Sequence, residues 1–342
     1  MSEAFHIIPG DPAVPMFIFG DHASRFIAPR YADLGLSGED LTRHIAWDIG
    51  TEAVVRGLCA RFGAGGVVAG FSRLVIDANR PETMESLIPE FSDGTDIPGN
   101  LNLDADAREE RIATLHRPYH AQLRRAISAY QNRPLCVSIH SFTPHPHTGD
   151  PRHLDIGLLV KDDIPTATIF EHHLAALSPQ LSIGVNEPYS AHDLNHTVDT
   201  HLSPRNLPHL AIEIRQDHLG DDAGIAAMVK IIAITNRRTA HMRRDFIPED
   251  FDHTFIARQH AIGGHGKGFE CRLSTQPGKD MRCSSAFMIA TLRADMVEPG
   301  AIGYLDFHHL VEPRRGRAIF QNRQFSPCIK LDAMVQYRIG SL

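Results

Sequence analysis

Two histidines and one glutamate stand at the ends of, or inside, separate apolar runs. Val14-Pro15-Met16-Phe17-Ile18-Phe19 leads through Gly20 and Asp21 into His22, and Cys136-Val137-Ser138-Ile139 leads into His140. Leu210-Ala211-Ile212-Glu213-Ile214-Arg215 carries a carboxylate within a third run. In an open α/β sheet, ligands gather outside the carboxyl ends of the strands, so such residues can share one crevice. Neutral imidazole is the commonest metal ligand, and a catalytic zinc takes three protein ligands plus a water. The pattern predicts a mononuclear hydrolytic metal site with His22 and His140 among its ligands. The third ligand stays open between two aspartates. His44 and Asp48 are four apart on a predicted helix, hence on one face, while Asp77 follows the apolar run Leu74-Val75-Ile76. A glutamate three residues after His22 is absent, because Arg25 holds that place.

Glu213 supplies the second half of the chemistry. A carboxylate in a buried strand is costly unless it pairs, for instance with Arg215, or serves a site. Beside an activated water it can accept a proton and later protonate a leaving nitrogen. Arg73, Arg80 and Arg215 are candidates for clamping an anionic substrate, since arginine suits bidentate carboxylate binding. Asn79 and Asn186 would orient that substrate. An internal Arg73–Asp77 ion pair is the competing structural reading. Asp77, His120 and Ser141 are expected to support the site from behind, although His120, in Pro118-Tyr119-His120, could equally be a packed core histidine. The chain has 22 histidines, so only context singles out a few of them.

These residues need a scaffold that gathers strand ends. Up to residue 255, short β-rich runs alternate with longer helical patterns, which predicts a largely parallel sheet covered by helices on both faces. Strands are expected at Met16–Phe19, Gly66–Ala69, Leu74–Ile76, Leu135–Ile139, Ile156–Val160, Leu181–Val185 and Leu210–Ile214. Helices are expected at Gly38–Phe62, Asp104–Tyr130, Thr166–Leu177 and Asp222–Arg243 from their apolar stripes. The stretch Pro81–Asn102 has no periodicity and reads as a long loop, either a cover over the site or a plain surface excursion. Pro144-His145-Pro146-His147 reads as a rigid segment at its entrance.

Composition narrows the class. At 342 residues the chain is long enough for one large α/β domain or two small ones. A net charge of −7 argues against general nucleic-acid binding. No run is apolar enough to span a bilayer, and five cysteines without framework spacing fit a reducing compartment, so a cytoplasmic protein is expected. Charge divides the chain. Residues 256–342 hold 12 Lys+Arg against 7 Asp+Glu, a net of +5, whereas the preceding part carries −12. The glycine-rich Gly263–Gly268 has neither the spacing nor the Ser/Thr of a phosphate loop. Residues 1–255 are expected to form the catalytic domain, and 256–342 an extension that is not well folded and not needed for activity.

Taken in order, Asp21-His22-Ala23-Ser24, His44 through Asp48-Ile49-Gly50, Ser72-Arg73 through Asn79-Arg80-Pro81, Pro118-Tyr119-His120, Ile139-His140-Ser141, Asn186-Glu187-Pro188-Tyr189 and Ile212-Glu213-Ile214-Arg215 resemble the N-formylglutamate amidohydrolase family. The likeness covers about residues 5–250. Where the family often has Pro-His-Ser-Gly, this chain has Asp21-His22-Ala23-Ser24. The resemblance implies a phosphorylase/hydrolase-like α/β fold, akin to zinc exopeptidases and zinc-dependent cell-wall amidases. It implies a small anionic N-acyl amino acid as substrate, with hydrolysis of N-formyl-L-glutamate to formate and L-glutamate in histidine degradation. By analogy with the zinc amidases it implies one Zn2+ held by His22, Asp48 and His140, with Glu213 as the base.

Overall fold

A computed structural model describes residues 3–193 and 195–246, all within one compact unit, Met1–Pro248. The expectations for residues 256–342 lie outside the described residues. Four parallel strands form the centre of a seven-stranded sheet: β2 (Met16–Gly20), β3 (Gly65–Ala69), β6 (Leu135–Phe142) and β9 (His209–Arg215), in the order β3-β2-β6-β9. β1 (Phe5–Ile8) adds antiparallel to β3 at one edge. β7 (Ile156–Leu159) runs antiparallel to β9, with β8 (Ile183–Val185) parallel beyond it. A two-residue ribbon, β4 (Phe91–Ser92) with β5 (Thr95–Asp96), stands apart from this sheet. The sheet is mostly parallel, as the sequence predicts.

The central strands are buried on both faces, which explains their nearly continuous apolar runs. Alternation sorts their side chains. Ile18, Val137, Ile139, Ile212 and Ile214 pack with α1 (Thr51–Phe62), α4 (Ile164–Leu177) and α6 (Asp222–Phe246). Phe17, Phe19, Val67 and Cys136 pack on the other side, with Tyr119, Leu123 and Ile127 of α3 (Arg117–Ser128) and Leu202 after α5 (His196–His201). Among the described residues no helix is long and apolar enough to cross a membrane.

Three sequence expectations need correction. The helix expected over residues 38–62 starts only at Thr51, after a 3-10 turn at Asp40–Thr42. Residues 43–50 are pinned as turns instead: the Asp48 amide donates to the His22 carbonyl at 2.9 Å, and Ser72 Oγ donates to the Ala46 carbonyl at 2.7 Å. Gly50 (φ 82°) makes the last bend in the left-handed region, with Leu219 so close that a Cβ would meet it at 2.6 Å. His44 and Asp48 therefore share no helical face.

Leu74–Ile76 is likewise not a strand. Its buried carbonyls are satisfied by side chains rather than by a ladder, Leu74 by Asn100 Nδ2 at 2.8 Å and Val75 by Arg111 Nη1 at 2.9 Å. The helix expected over 104–130 forms as α2 (Ala105–Arg111), capped by Asp104, then a π turn at Ile112–His116, then α3. Pro118 has no amide to give the preceding turn, and the wider π turn falls just ahead of it.

Candidate metal centre

β6 and β9 run side by side with His140 opposite Glu213. Strand alternation turns Ser138, His140, Ala211 and Glu213 into one cavity beyond the sheet, shared with His22 from the end of β2. Asp48 arrives from the pinned turn and Asp77 from the Leu74–Pro81 segment. The imidazoles converge on one oxygen. His140 Nδ1 lies 2.9 Å from Asp48 Oδ2, and His22 Nδ1 lies 3.3 Å from it. His22, Asp48 and His140 are all buried, and one ligand atom from each lies within 4.8 Å of the others.

Each ring is held from its far side. His22 Nε2 donates to Asp77 Oδ1 at 2.7 Å, while His140 Nε2 faces Ser138 Oγ at 3.0 Å and Asp21 Oδ2 at 3.6 Å. A carboxylate behind a histidine fixes its orientation and raises its basicity as a ligand. Asp77 is thus turned to the back of His22, and Asp48 is the carboxylate between the two Nδ1 atoms. Arg73 bridges the two aspartates, donating to Asp48 Oδ1 at 3.1 Å and Asp77 Oδ2 at 2.9 Å.

The electrostatics follow from this crowding. Burial opposes the charged form of His22, as does Arg73, but Asp77 and Asp48 outweigh them and raise its pKa. Burial likewise opposes charge on His140, yet hydrogen bonds to Asp21 and Asp48 and the charge of Glu213 carry it well above its ordinary value. Asp48 is buried too, but His22, His140 and Arg73 hold its pKa down. Glu213 goes the other way. Burial, reinforced by the Asp48 charge and opposed by the histidines and Arg73, pushes it up to about 7.

Glu213 Oε2 is buried with no hydrogen-bond partner. An orphaned buried oxygen is uncommon, and it lies in the cavity that the three clustered residues line. Two imidazole nitrogens, one carboxylate and an uncommitted carboxylate nearby form a donor set that fits a divalent ion such as Zn2+ with a water beside it.

The other candidates divide. Asn79 and Arg80 line the cavity; Arg80 is held only loosely, 3.9 Å from Asp77 and 3.5 Å from the Met84 sulfur. Arg73 also lines it, but its guanidinium is engaged by the two aspartates, so the internal ion pair describes it better than a free clamp. Ser141 braces the Asp48 turn, donating from Oγ to the Ile49 carbonyl at 2.8 Å. Two expected substrate residues lie outside the cavity lining. Arg215 leaves the end of β9 for Asp155 at 2.9 Å and Asp217 at 2.8 Å, outside the cavity. Asn186 stitches a turn, accepting from the Val160 amide and donating to the Val160 carbonyl. His120 is also outside the cavity, packed among other histidines.

Sequence reasoning missed Asp21, Tyr189 and Asn195 in the cavity wall. Asp21 directly precedes His22, which was a usable signal. It is 2% exposed, and its Oδ1 accepts from Tyr119 at 2.7 Å and Thr197 at 3.0 Å. Tyr189 lies in the Asn186-Glu187-Pro188-Tyr189 motif and accepts from Arg152 at 2.6 Å.

Comparison with known proteins bears on this arrangement. A profile of the N-formylglutamate amidohydrolase family matches residues 14–219, a span containing every residue of the cavity. The chain belongs to the N-formylglutamate amidohydrolase family. It is accordingly a hydrolase acting on an amide bond. Among solved structures, a gene product of Agrobacterium tumefaciens is similar at 33% identity and a TM-score of 0.64, with 70% of this chain and 96% of that one covered. An N-formylglutamate amidohydrolase from Ralstonia eutropha shares the fold at 20% identity and a TM-score of 0.51, over 71% of this chain and 99% of that one. No curated protein sequence matches the chain.

Proposed function

We propose that this amidohydrolase is metal-dependent and cleaves N-formyl-L-glutamate to formate and L-glutamate, with His22, Asp48 and His140 as ligands of one Zn2+ and Glu213 as general base. The observation that carries the reading is the convergence of two Nδ1 atoms on Asp48 Oδ2 beside the partnerless Glu213 Oε2. A divalent cation at such a site lowers the pKa of a bound water toward neutrality and polarises the scissile carbonyl.

Glu213 accepts a proton from the attacking water at Oε2, since that oxygen has no competing donor. As the formyl carbon–nitrogen bond breaks, the same carboxyl returns the proton to the departing nitrogen, giving formate and the free amine. Burial raises the Glu213 carboxyl above the ordinary carboxylate range, which favours its holding the proton between the two steps. Asp77 and Asp21 hold the two imidazoles in place. Arg80 and Asn79 take the substrate carboxylates, because Arg73 is already committed.

This chemistry supports a place at the end of a histidine-degradation route and a cytoplasmic setting, in keeping with the free buried thiols Cys59 and Cys136. We assign the catalytic domain to residues 1–255, so a chain ending at Phe255 keeps its activity. The deciding experiment measures formate release and metal content together. Glu213→Gln should lower turnover about 10²–10⁴-fold or more with the metal retained. Loss of the ion would make Glu213 a ligand. In a panel of N-acyl amino acids, Arg80→Ala should raise KM for the dicarboxylate about tenfold or more. Equal rates on N-formylalanine and N-formylglutamate would overturn the substrate assignment.

A further inference from the structure

A second group of histidines converges outside the catalytic cavity. His116 ends the π turn, His120 follows four residues later on α3, and His196 opens α5. One ring nitrogen from each lies within 4.8 Å of the others. Residues four apart on a helix project from one side, a spacing that suits two ligands of one ion. The third comes from an element distant in sequence, so the three meet only in the folded chain.

Two backbone bonds prepare these rings. His116 Nε2 donates to the Arg80 carbonyl at 2.9 Å, and His120 Nε2 donates to the Ala78 carbonyl at 2.9 Å. A carbonyl can only accept, so each proton is fixed on Nε2 and each Nδ1 carries a lone pair. The Nδ1 of His116, a residue 2% exposed, has no hydrogen-bond partner. His201 Nε2 donates to His120 Nδ1 at 2.8 Å, a bond the ion must displace, and Glu82 Oε1 stands 3.9 Å from His116 Nδ1. A metal-ligating histidine characteristically donates its other ring N–H to a carbonyl or carboxylate. Burial also keeps these rings uncharged, with His120 pushed down to about 3 and His201 to about 4.

We propose that His116, His120 and His196 form a second metal site, for a divalent cation of the zinc class, distinct from the catalytic centre. Imidazole ligands select Zn2+, Co2+, Ni2+ or Cu2+ over Mg2+ or Ca2+, which need oxygen. Glu82 or a water supplies the fourth position. The ion acts as a brace. It ties α3 to α5 behind the Ala78–Arg80 segment, whose Asn79 and Arg80 line the cavity. The neighbours of two of its ligands, Tyr119 and Thr197, both donate to Asp21 behind His140, and the Thr197 amide donates to Asn79 Oδ1 at 2.9 Å.

The test is titration of the metal-free, full-length protein with Co2+, reading stoichiometry by equilibrium dialysis and coordination by the visible d–d bands. His22→Ala/His140→Ala should keep the Co2+ bound at the second site. Adding His196→Gln to that background should remove one equivalent, or weaken it roughly 100-fold or more. Zn2+ should displace this Co2+, and excess Mg2+ should not. His196 is only half-buried, so its replacement perturbs the fold less than that of buried His116, which thermal melting checks. Unchanged stoichiometry, affinity and spectrum on adding His196→Gln would overturn the proposal and leave the cluster as packed core histidines.

Discussion

The corner of His22, Asp48 and His140 and the cluster of His116, His120 and His196 use the same side chain in opposite electrical settings. In the first, the far nitrogens face carboxylates, Asp77 behind His22 and Asp21 behind His140. In the second, the far nitrogens of His116 and His120 donate to backbone carbonyls. Burial disfavours the imidazolium in both places. Only the carboxylates supply enough opposing charge to overcome it, so His22 and His140 rise while His116, His120 and His196 fall. The second contact of a buried histidine thus decides its charge. Carboxylate backing suits ligands that must hold an ion beside reacting water, and carbonyl backing fixes a tautomer without adding charge.

The comparison can be broken first at Asp77. Asp77→Asn keeps an oxygen behind His22 but removes the charge, so metal affinity or turnover should drop about 10–100-fold. An effect below twofold, measured by metal titration and formate release, would mean that the carboxylate charge there is immaterial.

Acid stability sharpens the same contrast at the other cluster. Folded-state pKa values of about 3 for His120 and about 4 for His201 lie below the ordinary 6.5, so the folded chain binds fewer protons than the unfolded one. Their contribution to stability is full above about 6.5 and is lost as pH falls toward 4 and 3. Urea midpoints of the metal-free protein should therefore decline across that window, and less steeply in His120→Gln/His201→Gln. In the same metal-free protein, imidazole 15N shifts should show His140 protonated at a pH where His120 is neutral; the reverse order would sink the comparison. The smallest effect is expected at Arg215, which is spent on Asp155 and Asp217. Arg215→Ala should change kcat/KM less than threefold or so, in keeping with a residue away from the cavity. A tenfold loss would return it to the substrate site.

Much of the sheet was legible because a doubly covered parallel strand must be apolar along its length. Met16–Phe19, Leu135–Ile139 and Leu210–Ile214 announce themselves that way, and His140 and Glu213 stand out as polar residues among them. Leu74–Ile76 has the same look and is not a strand, since Asn100 and Arg111 satisfy its carbonyls. Apolar content reports burial, not the source of backbone hydrogen bonds. The helical pattern over 38–50 failed for a related reason: a long-range bond from Asp48 to His22 overrides local propensity. Asn186 and Arg215 suit a substrate site by chemical type alone, and nothing local reveals which way such side chains turn.

The amino-acid order by itself determined which runs are buried, the parallel α/β class, the strand-end histidines and the family, because periodicity and motif order are local properties. Only the folded chain placed Asp48 between the two Nδ1 atoms and Asp77 behind His22, committed Arg73 to both, left Glu213 Oε2 without a partner and gathered His116, His120 and His196. Those outcomes depend on distances between segments far apart along the chain. Electrostatic and hydrogen-bonding energies are set by such distances, and separation in sequence does not encode them.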